Sequence, residues 1–282
     1  MPEMPELQAL AEGLTRALAG RAIEGVAVWQ AATLKTVAPP LEALEGAVVG
    51  EVWRRGKLLG VAAGELTLVM HLMQAGRLGV VPTGKGRPGR SAALDLRLDG
   101  GETLRLRELS TERRASAHLL DPAGLAAHPP LLRLGPEPLG LDAAGWRGAL
   151  AAEPGRLHTA LREGRRVAGI GRAYASEIMW AARLAPFAPV DRLPEEAWAR
   201  LARGAEAVLS QALARAREHI TVDLPPRERR VTAVHGHYGE PCLRCAARLE
   251  RVSFAGYELV YCPACQTGGR VYADRRRSRF LR

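Results

Sequence analysis

The four cysteines at 242, 245, 262 and 265 constrain this chain more tightly than any other feature, because CLRC, sixteen residues and then CPAC make two C-x2-C knuckles. Knuckles at this separation bring four thiolates within tetrahedral reach of one ion, which is the ligand set of a structural Zn2+. An ion enclosed by four thiolates keeps no open position, so it folds a finger and does no chemistry. Two disulfides are the alternative reading, and they need an oxidising compartment. The chain has no other cysteine, its N-terminus carries acids where a secretory signal needs a basic and then an apolar stretch, and it lacks any apolar run of about 18 residues or more. It is therefore read as cytoplasmic, where thiols stay reduced.

The remaining residues divide by pattern. From Glu6 to about Leu18, the residues Leu7, Leu10, Ala11, Leu14 and Leu18 recur at spacings of three and four, which is one face of a helix. Residues 22 to about 118 read as short β segments punctuated by Gly and Pro: AIEGVAVW, AVVGEVWRRGKLLGVAA, ELTLVMHLM, LGVV, AALDLRL and ETLRLREL. This pattern predicts a sheet or sandwich. The stretch 121–142 holds five prolines and marks a linker. Residues 143–219 are rich in Ala, Leu and Arg at helical spacing, interrupted by GIG (169–171) and APFAPVDRLP (185–194), and the block from about 226 holds the cysteines and a short β pattern. A length of 282 residues has room for one large domain or two to three small ones, and no internal repeat is present.

Forty Lys+Arg against 30 Asp+Glu give a net charge of +10, which favours a polyanionic partner such as nucleic acid. Arginine dominates and lysine is scarce, so part of this basicity is compositional. The tail RRRSRFLR (275–282) concentrates five arginines with no acid, and reads either as a DNA-facing patch or as a solvated end.

MPEMPEL at the start, WRRGKLL (53–59), HLMQAGRL (71–78), LGPEPL (134–139), GIGRAYASEIMW (169–180) and HGHYGEPC…C…CPAC (235–265) follow one another in this order. Together they resemble the family of formamidopyrimidine-DNA glycosylase and endonuclease VIII, which excises oxidised bases from DNA. The resemblance covers nearly the full length. It implies an α+β multidomain fold: an N-terminal β-sandwich with a leading helix (1–125), a linker (126–142), a helix–two-turn–helix DNA-binding domain (143–225), and a four-Cys zinc finger with a basic tail (226–282). It also implies a bifunctional DNA glycosylase and abasic-site lyase that cleaves by β,δ-elimination. Its partner would be double-stranded DNA containing damaged bases or abasic sites, its only cofactor one structural zinc, and its state a monomer.

The resemblance also assigns residues. Removal of the initiator Met exposes Pro2, whose secondary amine attacks C1′ of the nucleotide and forms an iminium. Glu3 matches the acid that protonates the deoxyribose ring oxygen or relays protons, and Glu6 the second acid, which orients the first turn. Read alone, both are ordinary helix-start acids. Lys57 matches the loop lysine that holds the lesion phosphate, although a Gly-Lys turn is otherwise simply solvated. His71 and Arg77 match backbone contacts, with a core histidine as the alternative for His71. GIGRAYASE matches a helix entry at which backbone N–H groups meet phosphate, which makes Arg172 and Tyr174 candidate DNA contacts.

Several positions depart from the family pattern. Arg172 stands where Asn is usual, and can still hold a phosphate. Gln74 stands in the damage-probing loop where the oxidised-purine enzymes carry a wedge methionine. TERRASA (111–117) keeps Arg114 but replaces an inserting phenylalanine with Ala115. Tyr257 stands where an arginine bonds the lesion phosphate, and the segment between Thr221 and Gly239 is short. These departures suggest a divergent branch acting on oxidised pyrimidines, hydantoins or ring-opened purines. The competing reading is a catalytically weak lesion- or abasic-site-binding protein on the same fold.

Overall fold

In the computed structural model, which describes residues 1–84, 88–224, 231–254 and 257–272, the first helix, α1 (Met4–Leu18), starts two residues earlier than the apolar spacing predicts. Three residues account for the early start. Glu3 occupies the N-cap in extended conformation, the Glu6 carboxylate accepts its backbone N–H at 2.9 Å, and Pro5 lies in the first turn, where a missing N–H costs nothing. Leu7, Ala11, Leu14 and Leu18 then enter the core.

The chain forms two compact units, Met1–Arg133 with Leu213–Glu228, and Leu134–Ala212 with Arg229–Arg282. The first is a β-sandwich. One antiparallel sheet has the order β1 (Ile23–Val28), β6 (Ala92–Leu98), β7 (Glu102–Glu108), β5 (Gly76–Pro82). The other has the order β2 (Val49–Arg55), β3 (Leu58–Ala63), β4 (Leu66–His71), β8 (Ser116–Leu120). Leu59, Val61, Leu68 and Met70 of the second sheet share one core with Leu94, Leu96, Leu104 and Leu106 of the first. The edge strand β2 is closed by α1, because the Thr15 hydroxyl accepts the Val52 N–H and donates to the Val52 carbonyl, both at 2.9 Å. An edge that would otherwise offer open backbone groups is thereby satisfied. At β5 the returning segment takes its place beside Val80, whose N–H donates to the Val222 carbonyl at 2.7 Å. The approach is close enough that a Cβ on Gly79 would lie 2.6 Å from that oxygen.

Between Leu120 and Asp142, the expected linker carries two short helices, α2 (Pro122–Ala126) and α3 (Pro129–Leu132). The second unit contains α4 (Ala143–Ala151), α5 (Leu157–Arg162), α6 (Arg172–Ala181) and the first part of α7 (Glu195–His219). Asp142 caps α4 through the Gly145 N–H at 2.7 Å. Buried Arg166 joins the ends of α4 and α5, donating to the carbonyls of Leu150, Glu153 and Pro154 and pairing with Glu163 at 2.7 Å. The finger consists of the hairpin β9 (Glu250–Phe254) and β10 (Tyr257–Tyr261) followed by α8 (Pro263–Thr267). Its small core gathers Val234, Cys242, Leu249, Val260 and Cys262. The arginine tail, part of the short segment after Thr221 and the side chain of Tyr257 lie outside the described residues.

Candidate functional site

In the first unit, Pro2, Glu3 and Glu6 stand at the start of α1 and Lys57 in the turn of the β2–β3 hairpin. Pro2 is half-buried immediately ahead of the cap, and Glu3 is buried with only 3% of its surface exposed. The hairpin turns through Gly56 and Lys57, with Gly56 at φ 58°, a left-handed conformation that glycine adopts without strain. Arg54 ties the two together. Its Nε donates to Gln8 Oε1 on α1 at 2.9 Å, and its Nη1 donates to the Gly56 carbonyl at 3.0 Å, one residue before Lys57. Nothing local in WRRGK distinguishes this arginine from its neighbour, so sequence reasoning missed it.

His71 ends β4 directly opposite Leu58, one residue beyond Lys57. Its Nδ1 accepts the Met73 N–H at 3.0 Å, which leaves the proton of the neutral ring on Nε2. Burial, and secondarily the Lys57 charge, push its pKa down to about 4 from the ordinary value of 6.5. Between these values the unfolded chain binds a proton that the folded chain refuses. Stability from this group is therefore complete above pH 6.5 and falls as pH drops toward 4. An NMR titration of the His71 ring is expected to show a midpoint near 4, and Lys57→Met should raise it only part of the way because burial is the larger cause. A midpoint near 6.5 would contradict this arrangement.

Gln74 is exposed in the turn between β4 and β5, and its carbonyl accepts Arg77 Nη1 at 3.3 Å. The loop from Leu109 to Ala115 is organised by buried Glu108, whose two carboxylate oxygens accept the N–H groups of Ser110 and Ala115, each at 2.9 Å. Ala115 is buried. Arg114 is exposed and paired with Glu112 at 2.9 Å.

In the second unit, Gly171 is the N-cap of α6 and half-buried Arg172 is the first helical residue. Tyr174 is buried, which removes most of its side chain from contact with a ligand. His158 of α5 is also buried, and its Nε2 finds no hydrogen-bond partner among the described residues. Burial first, then the charges of Arg162, Arg172 and His235, push its pKa down to about 3. His158 is therefore neutral at physiological pH although it senses the Arg162 and Arg172 guanidiniums.

The four cysteine sulfurs all lie within 4.8 Å of one another, with Cys242–Cys265 at 4.0 Å, Cys245–Cys262 at 3.5 Å and Cys245–Cys265 at 3.4 Å. Tetrahedral thiolates about 2.3 Å from zinc stand about 3.8 Å apart, so the spacing fits the ion. All four are free thiols, which removes the disulfide reading. Burial opposes ionisation of Cys242, but N–H groups from Arg244, Trp180 and Cys245 bring its pKa down to about 6. Burial pushes the Cys262 thiol up to about 12, so this thiol needs a cation to ionise at neutral pH. The quartet is the ligand set of one structural zinc.

Three sequence models match in the order of the fold. Residues 1–114 match the formamidopyrimidine-DNA glycosylase N-terminal domain, 134–223 the H2TH domain of the same enzyme, and 239–268 the zinc finger found in FPG and IleRS. The formamidopyrimidine-DNA glycosylase of Geobacter sulfurreducens is 34% identical over 278 residues, covering 94% of this chain and all of the relative. That of Laribacter hongkongensis is 34% identical over 275 residues with the same coverage. A solved complex of Lactococcus lactis Fpg with abasic-site DNA superposes with a TM-score of 0.84 at 23% identity, covering 94% of this chain and 99% of the other, and so shares the fold. Three domain matches spanning most of the chain, together with full-length relatives above 30% identity, place this protein in the formamidopyrimidine-DNA glycosylase family.

Proposed function

We propose that this protein is a base-excision DNA glycosylase and abasic-site lyase that works through the amine of Pro2 once Met1 is removed. The observation that carries the reading is the start of α1. A proline whose nitrogen becomes a secondary amine when Met1 leaves, and a buried carboxylate, stand on adjacent residues of a helix entry, and Arg54 links that helix to the hairpin bearing Lys57.

The chemistry follows from these groups. The Pro2 lone pair attacks C1′, the bond from C1′ to the damaged base breaks, and the base leaves with a proton. Glu3 protonates the ring oxygen as the sugar opens, leaving an iminium between Pro2 and C1′. The iminium acidifies C2′. Loss of that proton expels the 3′ phosphate, and a second elimination expels the 5′ phosphate. Lys57 holds the phosphate beside the lesion, with neutral His71 next to it, while Glu6 fixes the backbone at the cap. Gln74, Arg77 and Arg114 face the displaced nucleotide and its partner strand.

The substrates are oxidised or ring-opened bases and abasic sites in duplex DNA, engaged by a monomer in the bacterial cytoplasm. No helix among the described residues is long and apolar enough to cross a membrane. Flipping a damaged base out of the stack costs a few kcal/mol and is cheapest where pairing is already weakened, which supplies part of the selectivity.

The start of α6 is the second phosphate seat, because the Arg172 and Arg162 guanidiniums gather there near neutral His158. Arg172→Ala is expected to weaken duplex binding about equally for all sequences and to lower the salt dependence by about one phosphate contact, measured as log Kd against log salt. An unchanged slope would remove Arg172 from the interface.

Borohydride reduces an iminium to a stable amine, so the test of the whole reading is trapping on an abasic-site duplex. A one-to-one covalent adduct is expected. Correctly processed protein that binds the duplex tightly and yields no adduct would leave a lesion-binding protein as the better account.

A further inference from the structure

The second unit contains an arrangement that neither the chemistry at Pro2 nor the four ligands requires. Trp180 lies near the end of α6, and its indole Nε1 donates to the Cys242 sulfur at 3.4 Å. Arg244, between the two cysteines of the first knuckle, holds that indole in place: its guanidinium stacks 4.2 Å from the Trp180 ring, and its Nη1 donates to the Trp180 carbonyl at 3.0 Å. The backbone N–H of Arg244 reaches the same sulfur at 3.5 Å.

We propose that Trp180 is a positioning residue of the metal centre, whose indole N–H holds the Cys242 thiolate in its metal-bound geometry and so makes α6 part of the zinc site. Four thiolates around Zn2+ leave an excess of two negative charges. N–H donors to sulfur offset that excess and fix the direction of the lone pairs. An indole can only donate, and it needs an acceptor when it is removed from water. Here the acceptor is a metal ligand. The second knuckle is attached to the same region, since buried Gln266 accepts the Cys262 N–H at 2.8 Å and donates to the Leu184 carbonyl at 3.0 Å, just beyond α6. Both halves of the quartet are thus oriented by one stretch of the helical domain.

Trp180→Phe in the full-length protein keeps an aromatic ring for Arg244 to stack on and removes the donor, together with part of the ring area. Zinc affinity, measured by competition with a chelator, is expected to fall about tenfold to a hundredfold. In the cobalt-substituted protein the sulfur-to-metal charge-transfer band should move to lower energy, because the sulfur lone pair loses its hydrogen bond. A purely packing role would leave that band in place. Native affinity with an unmoved band would overturn the proposal. A second measurement needs no variant: in native protein loaded with an NMR-active cadmium isotope, the Trp180 indole proton should show scalar coupling to the metal across the N–H···S bond. Absence of that coupling would overturn the proposal even if the variant fails to fold.

Discussion

Protein that retains one extra residue ahead of Pro2 is expected to give no borohydride adduct on an abasic-site duplex, with strand cleavage lower by roughly a thousandfold or more. Acylation turns the amine into an amide, whose lone pair is delocalised into the carbonyl and no longer attacks C1′. The fold offers no reason for a wider effect. The cap of α1 begins with the Glu3 N–H held by Glu6, and the helix enters its core from Met4 onward, so an added residue leaves these contacts in place. DNA affinity should therefore change little while the covalent step disappears. Pro2→Gly keeps a primary amine at the terminus and should retain part of the trapping. If the extended protein still traps at the native rate, the nucleophile is another amine, and Lys57 in the neighbouring hairpin is the group to test.

Glu3→Gln should lower base excision about a hundredfold to ten-thousandfold, the usual scale for loss of a positioned acid or base. Cleavage at a preformed abasic site should suffer less, because that sugar already equilibrates with its open aldehyde and needs less help from an acid. The two substrates separate the roles of the carboxyl. Glutamine has nearly the same shape, its amide oxygen can still accept the Glu6 N–H of the capping box, and the reciprocal bond at 2.9 Å comes from Glu6, so thermal unfolding should hardly move. Native rates on both substrates, measured in single turnovers, would show that Glu3 is only a buried helix-start acid.

Local features of the chain were legible from its residues. The cysteine quartet depends on a spacing written in one short segment, and the structure places all four sulfurs together. Strands β1 to β7 followed from apolar runs bounded by Gly and Pro, although β2 and β3 read as one stretch because their turn is only Gly56 and Lys57, whereas β8 (Ser116–Leu120) matched none of those runs. The early start of α1 was not legible because apolar spacing marks only the residues that enter the core, whereas Glu3, Pro5 and Glu6 set the first turn through capping. Features built from distant residues could not be read in this way. Arg54 meets Gln8 across 46 positions, Trp180 meets Cys242 across 62, and Glu108 shapes its loop through backbone groups that any residue could supply. The burial of Ala115 and Tyr174 likewise depends on packing that no motif encodes.

Glu177 of α6 is buried, and its carboxylate receives three successive backbone N–H groups, from Ala233 at 2.7 Å, Val234 at 3.0 Å and His235 at 2.8 Å. With Trp180 and the Leu184 carbonyl, it gives the finger three separate moorings on one helical segment. The finger is consequently a poor cassette for exchange. A chimaera cut at the sequence boundary near residue 230 would leave a buried carboxylate, an indole and a carbonyl facing surfaces they were not shaped for, whereas a graft that carries residues 171–184 along with the finger moves the moorings with their load. Recombination among relatives should respect the same seam, so that α6 and the finger are inherited as one block even though they lie far apart along the chain.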